Sequence, residues 1–304
     1  MFPKVFIIIV NWNGNEDTIE CLESLKNNDY PNYKVVIVDN GSDKKIEISD
    51  SEIKVIYNKE NLGFSGGNNI GIKYALENNA DYILLLNNDT IVSNDFLSKM
   101  IKFAQKNKQV GIIGPKIYFP PSADEASNSK KIWFAGGKIN WLYNKGIMRG
   151  YNEIDNGQYD KPETQETDYI TGCCLLIKRD VVEKISLMPE EYFLYYEDTD
   201  WSLRARQIGY KCIFVPSAII WHKGSKSSIA ESSSYIYYHI RNGLILAKKY
   251  APWYIKPFVH LDIFWRIVKQ LIKISFFPKK RTWAKYILLG IKDFYFNKKS
   301  KINL

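Results

Sequence analysis

Cysteine is scarce and poorly spaced for metal or redox work. The four in 304 residues, Cys21, Cys173, Cys174 and Cys212, form no C-x-x-C pair, which argues against a zinc site and reads as reduced, cytosolic thiols. Cys173 and Cys174 adjoin, and neighbouring cysteines rarely bridge, so they are expected to be packing residues. Two nucleotide fingerprints are missing: no G-x-x-x-x-G-K-[ST] occurs, and Gly63-x-x-Gly66-Gly67 is not G-x-G-x-x-G. No uncharged apolar run reaches about 18 residues, so no transmembrane span is expected. Met1 to Val5 leads straight into a short apolar strand, without the basic start and long apolar core of a signal peptide, and none is expected. No Ser-His-Asp or Cys-His constellation offers a covalent nucleophile.

Aromatic and basic side chains are in excess, and unevenly spread. Aromatics make up 14% of the chain and the formal charge is +9. From Tyr235 onward there are 15 Lys/Arg against 2 Asp/Glu, a net +13, so residues 1–234 carry −4. The body is mildly acidic, and the overall charge is a poor argument for nucleic-acid binding. With 45% hydrophobic residues a sizeable core is available. The length suits one large domain, or a domain with an appendage.

The first 90 residues alternate strands and helices. Val5–Val10, Lys34–Val38, Ile53–Tyr57 and Tyr82–Leu86 read as strands, with helices over Asn15–Asn27 and about Gly67–Asn79. Such alternation predicts an open α/β sheet with ligands at the carboxyl ends of its strands. Each strand ends in amides or carboxylates: Asn11 and Asn13, Asp39 and Asn40, Asn61 to Asn68, and Asn87-Asn88-Asp89. Any one could be turn chemistry, but four on one edge favour a nucleotide pocket. The Gly63–Gly71 stretch ahead of the second helix would let backbone amides approach a phosphate.

These segments, Val10-Asn11-Trp12-Asn13-Gly14, Val38-Asp39-Asn40-Gly41-Ser42-Asp43, Asn61 through Gly71, and Leu86-Asn87-Asn88-Asp89-Thr90, resemble the family 2 glycosyltransferases, nearest the rhamnosyltransferase-like branch. The resemblance covers roughly residues 4 to 250. It implies the GT-A fold, a Rossmann-like open, mostly parallel sheet flanked by helices. It also implies that Asn11 and Asp39 contact base and ribose of a nucleoside-diphosphate sugar. Asn61, Gly63 and Asn68 would line the donor pocket with Asn13, Asn40, Gly66 and Asn88, and Asp89 would sit in the metal motif. The sequence departs from D-x-D by offering one carboxylate and two amides there. Mg²⁺ or Mn²⁺ would therefore bind weakly alone and arrive with the nucleotide.

A second cluster runs from Phe193 to Arg206, where an aromatic, strand-like run precedes Glu197, Asp198 and Asp200 at a helix start. Helix-dipole compensation needs one carboxylate; three crowded together raise a pKa, which suits a general base. The resemblance assigns the base to Asp198. Asp198-Thr199-Asp200 is also D-x-D, so a metal role is the rival. By the same resemblance His222 would touch metal or diphosphate, although a lone histidine is more often structural. Polar stretches over Ser122–Lys131 and Asn152–Thr167 read as mobile loops, with a hairpin between them near Trp133–Lys138 and Ile147–Tyr151.

The expected organisation is a catalytic domain, 1–234, with a nucleotide-sugar half (1–118) and an acceptor half (119–234). A basic, aromatic helical extension, 235–304, follows. Helices of that composition suit an anionic membrane surface; docking on the catalytic domain and dimerisation are the alternatives. The reading is an inverting, metal-assisted transferase acting on a glycan or lipid-linked acceptor, in the cytoplasm or at the inner face of the cell membrane. Rival readings are a non-catalytic nucleotide-sugar-binding partner subunit and a nucleic-acid-binding protein, the latter opposed by the acidic body.

Overall fold

The computed structural model describes residues 2–121, 130–162, 165–224, 232–299 and 301–302. The loop expected over Ser122–Lys131 lies almost wholly outside the described residues. Among the described residues twelve strands and eight α-helices follow in order: β1 (Val5–Asn11), α1 (Asn15–Lys26), β2 (Tyr33–Asp39), β3 (Lys54–Tyr57), α2 (Gly63–Glu77), β4 (Tyr82–Leu86), β5 (Thr90–Val92), α3 (Phe96–Lys106) and β6 (Val110–Tyr118). Next come β7 (Ile132–Phe134), β8 (Gly137–Asn140), β9 (Lys145–Met148), β10 (Glu166–Thr167), β11 (Cys174–Lys178), α4 (Arg179–Ile185), α5 (Glu197–Gln207) and β12 (Lys211–His222). Three helices close the chain: α6 (Ser233–Tyr250), α7 (Lys256–Phe276) and α8 (Arg281–Tyr295).

One ten-stranded sheet runs β10-β12-β6-β11-β4-β1-β2-β3, with β5 added on β12 and β7 on β6. The half from β4 to β3 is parallel, as are β12 and β6, whereas β11 runs antiparallel between β4 and β6. Every residue of β4 and β6 is buried, the signature of central strands covered on both faces. This is the mixed, mostly parallel GT-A-type sheet flanked by helices. The long β12 has an irregularity between Val215 and Ile219, where Pro216 removes a ladder donor.

The glycine stretch departs from its expected form. Helix α2 begins at Gly63, four residues early, so Gly66, Gly67 and Gly71 lie buried inside it. A Cβ on Gly67 would stand 2.9 Å from Val10 Cγ1, and one on Gly71 would strike Ile8 Cγ2. These glycines let the helix press against β1. Gly63 adopts φ +76°, and the next amide, Phe64 N, donates to Phe193 O at 2.7 Å. The helix start is thus coupled to the turn ahead of α5.

The boundary expected at residue 235 is crossed by buried contacts. Arg241 and Asn242 of α6 are fully buried against the segment before α5. Leu244 and Ala247 of α6 and Ala251 just after it join Val259, Ile263, Ile291 and Phe294 in a small second core with α7 and α8.

Candidate active site

The polar strand ends converge and bind one another. Asn11, fully buried, donates to Asn15 Oδ1 (2.9 Å), Ser42 Oγ (3.3 Å) and Asp39 Oδ2 (3.4 Å), and accepts from Thr18 Oγ1 (3.0 Å). Asp39 accepts from the amides of Ser42 (3.0 Å) and Ile46 (2.9 Å), which shapes the loop after β2. Asn40 donates to Asn61 Oδ1 and Gly63 O, tying β2 to the start of α2. Asn88 reaches Gly14 O and Thr18 Oγ1, and Asn68 caps Phe64 O within α2. Asn13 is exposed and braced by Asp43. The amides and carboxylate therefore form one hydrogen-bonded frame along the sheet edge, to which Asn11 and Asp39 are largely committed.

Asp89 and His222 are 133 residues apart in sequence, and the ladder of β5 on β12 joins them. His222 pairs with Thr90, Trp221 with Ile91 and Ile220 with Val92. Lys223 N donates to Asp89 O at 3.0 Å, and Lys223 Nζ holds Asp17 of α1 at 2.9 Å. Asp89 Oδ1 lies 3.2 Å from His222 Nε2, and both residues are buried. Trp133 meets the imidazole edge-on, ring centroids 4.5 Å apart. Asp89 Oδ2 and His222 Nδ1 are buried without a hydrogen-bond partner among the described residues.

A buried carboxylate oxygen left bare is costly and asks for a cation. The pair fits such an ion with an incomplete protein set. Among the described residues no group of three or more His, Cys, Asp or Glu converges on a common point, so other positions would fall to ligand oxygens and water. All four cysteines are free and buried, and burial pushes the Cys173 and Cys174 thiols well up. They are inert packing.

The three carboxylates at the start of α5 occupy three different environments. Asp200 is fully buried and fully engaged, with Tyr192 Oη at 2.8 Å, Arg204 Nε at 2.6 Å and Lys249 Nζ of α6 at 2.9 Å. It is an anchor between helices, which corrects the expectation of a reactive group. Glu197 is buried, with Oε2 unpartnered; burial, and then the charge of Asp198, push its pKa well up. Asp198 is partly exposed. Its Oδ2 accepts from Gly172 N (2.8 Å) and its Oδ1 from Thr199 N (2.6 Å) and Thr199 Oγ1 (3.1 Å). Burial still raises its pKa, against those hydrogen bonds. A carboxylate held by three donors with a raised pKa can accept a proton.

Residues 193–196 do not form the expected strand-like run. Phe193, Tyr195 and Tyr196 all have positive φ, between 63° and 74°, a region that costs a side-chain-bearing residue about 1–2 kcal/mol. A buried clamp from α6 holds them there. Asn242 Nδ2 contacts the carbonyls of Tyr192 (2.9 Å), Leu194 (2.7 Å) and Tyr195 (3.0 Å), while Arg241 donates to Glu191 O and Tyr192 O. Neither this clamp nor the roles of Gly172 and Trp133 follow from residue type.

The two halves of the site are stitched together by neighbouring residues. Gly172 N–H holds Asp198, and Cys173 O accepts from Asn87 N at 2.8 Å, at the end of β4 two residues before Asp89. A Cβ on Gly172 would come 2.8 Å from the Phe64 ring, so the close approach requires glycine.

Residues 6–186 match the family model described as "Glycosyl transferase family 2". The hexosyltransferase Agl10 of Haloferax volcanii is 27% identical over 252 residues, covering 80% of this chain and 75% of that one. The dTDP-rhamnosyl transferase RfbF of Shigella flexneri is 26% identical over 261 residues, covering 82% and 81%. A further match, an uncharacterised protein of Sinorhizobium fredii, is 27% identical over 244 residues, and this chain spans only 25% of its length. In fold the chain resembles a mannosyltransferase of Pyrobaculum calidifontis solved with GDP-Man and Mn²⁺ (TM-score 0.58, 14% identity, 98% of this chain and 88% of that one).

Proposed function

The chain belongs to glycosyl transferase family 2, and on that premise we propose that it is an inverting enzyme. It would move a sugar from a nucleoside-diphosphate donor to a hydroxyl of a glycan or lipid-linked acceptor. The observation that carries this reading is the stitch through Gly172 and Cys173, which sets the Asp198 carboxylate beside the strand end bearing Asp89. A base and a cation-holding carboxylate on one edge are what a single displacement requires.

In that displacement Asp198 takes the proton from the acceptor hydroxyl as its oxygen bonds to the anomeric carbon. The bond from that carbon to the phosphate oxygen breaks, and its electron pair leaves with the nucleoside diphosphate. The two hydrogen-bonded oxygens keep the carboxylate aimed, and its raised pKa matches it to an alcohol proton developing acidity in the transition state. Asp89 and His222 would hold a divalent cation, which when bound neutralises charge on the departing diphosphate. The metal reading is supported by the bare Asp89 Oδ2 and by the Mn²⁺ in the Pyrobaculum enzyme. The loops after β1 and β2 and the start of α2 would receive the nucleotide. The similarity to RfbF makes dTDP-rhamnose the first donor to test, with UDP-sugars next.

Two measurements test this. Thermal shift with UDP or dTDP and Mn²⁺ is expected to stabilise the wild type and not Asp89→Ala. Asp198→Asn should keep that stabilisation and lose about 10²–10⁴ in kcat. The wild-type kcat should fall on an acid limb lying above the ordinary aspartate value of about 3.9, because burial raises the Asp198 pKa. No stabilisation by any nucleoside diphosphate, or full activity in Asp198→Asn, would overturn the reading.

A further inference from the structure

Helix α7 has two apolar faces, and only one of them is covered. Val259, Ile263 and Gln270 point inward, onto the second core shared with α6 and α8. On the opposite side Phe258, Leu261, Phe264, Trp265, Leu271 and Ile272 are each 49–61% exposed. They share one helix face, with the half-buried Val268 bridging the gap between Trp265 and Leu271, and Phe276 (76% exposed) extends the stripe. From Phe258 to Phe276 it runs about 27 Å at 1.5 Å per residue. Trp253, 83% exposed, precedes the helix. A continuous apolar stripe of this size on a folded protein marks a contact surface.

The charges around the stripe say what covers it. Lys269 and Lys273 flank it, and the exposed Lys279, Lys280 and Arg281 follow its end. Asp262 is the single acidic residue between Ala251 and Lys292, and Arg266 neutralises it. A second copy of the chain would bring two strongly basic surfaces face to face, which repel. An anionic lipid surface answers both halves of the pattern, taking apolar side chains at the acyl boundary and lysines at the headgroups. No described helix is long and apolar enough to cross a membrane, so the helix lies in the plane of the interface.

We propose that α7 docks this protein on an anionic bilayer, with the stripe from Phe258 to Phe276 sunk into the headgroup–acyl boundary. The inference stands apart from the donor chemistry. It gives that chemistry a place, since α6, which packs on α7, also carries the clamp holding the turn before Asp198.

The test uses the full chain with two vesicle types, pure phosphatidylcholine and equal parts phosphatidylcholine and phosphatidylglycerol. Wild type should co-float with the mixed vesicles at least about tenfold more tightly than with the neutral ones, and more weakly as salt rises. Trp265→Ser with Ile272→Ser, both outward, should lose about a hundredfold in partitioning, about tenfold per side chain. Lys269→Gln with Lys273→Gln should lose about tenfold and most of the salt dependence. Stabilisation by nucleoside diphosphate is read on the same samples, and its retention shows that fold and donor site are intact. Absence of wild-type flotation, or flotation unchanged in the serine variant, overturns the proposal. So does a wild-type dimer by light scattering that becomes monomeric in that variant, or retention on DNA in place of lipid.

Discussion

Asn242→Ala should damage both stability and turnover, although no sequence signal places Asn242 in the site. Its side chain is fully buried, and its amide group serves three carbonyls of the turn before α5. Tyr192 O retains a donor in Arg241, so the carbonyls stripped are those of Leu194 and Tyr195. Losing each hydrogen bond costs about 1 kcal/mol where water can replace it, and up to about 3 kcal/mol where it cannot. Both residues are partly exposed, which puts the total near 2–4 kcal/mol. Freed of the clamp, three left-handed residues relax and carry the start of α5 with them. A shift of about 1 Å in Asp198 is enough for about a hundredfold loss in kcat. Urea unfolding reads the first effect and steady-state kinetics the second, with donor KM also expected to rise because Phe64 N–H at the start of α2 is held by Phe193 O of the same turn. Asn242→Asp supplies a control: it fills the space and still accepts from Arg241, yet offers the carbonyls no donor, so it should be at least as damaging. A loss under about 0.5 kcal/mol with full kcat would refute the clamp.

Two further outcomes follow from packing and charge. Glu197 has a folded pKa above its unfolded value, so its burial favours the protein below the ordinary glutamate pKa of about 4.3, and that advantage disappears as pH rises through the folded value. Glu197→Gln does not titrate; its unfolding free energy should match wild type at acid pH and exceed it as pH rises toward the folded value, by up to about 1.4 kcal/mol for each unit separating the two pKa values, with Tm shifting in the same direction. An equal Tm difference at both pH values would contradict the assignment. Gly71→Ala forces a methyl group into Ile8 of β1 and should destabilise by about 1–3 kcal/mol as an overpacked contact. Here chemical denaturation is the assay, and an unchanged midpoint would show that α2 can lift off β1 without cost.

Legibility in the sequence followed the range of the interactions. Strands such as Val5–Asn11 and Tyr82–Leu86 are continuous apolar runs whose burial is written in their own composition, and their polar ends mark the ligand edge. The start of α2 was harder to read because glycine signals a loop by default. Only the nearness of Ile8 and Val10 shows that those glycines serve helix–sheet contact. Residues 193–196 misled for a stronger reason: aromatic side chains favour strands, and Arg241 and Asn242 override that preference from almost fifty residues away. Asp198 and Asp200 look alike in sequence, and the contacts of Tyr192, Arg204 and Lys249 are what mark Asp200 as an anchor.

The pairing of β5 with β12 sets a schedule as well as a geometry. It closes a loop of about 130 residues, and contacts of such separation form late because their ordering cost precedes their reward. The parallel half, β1 to β4 with its helices, is complete in the first third of the chain and can form from neighbours alone. The imidazole opposite Asp89 arrives only when the far end of β12 has been synthesised and has found β5. The Asp89–His222 pair is therefore completed near the end of folding, and a chain that stops short of β12 lacks one of the two side chains that face each other there.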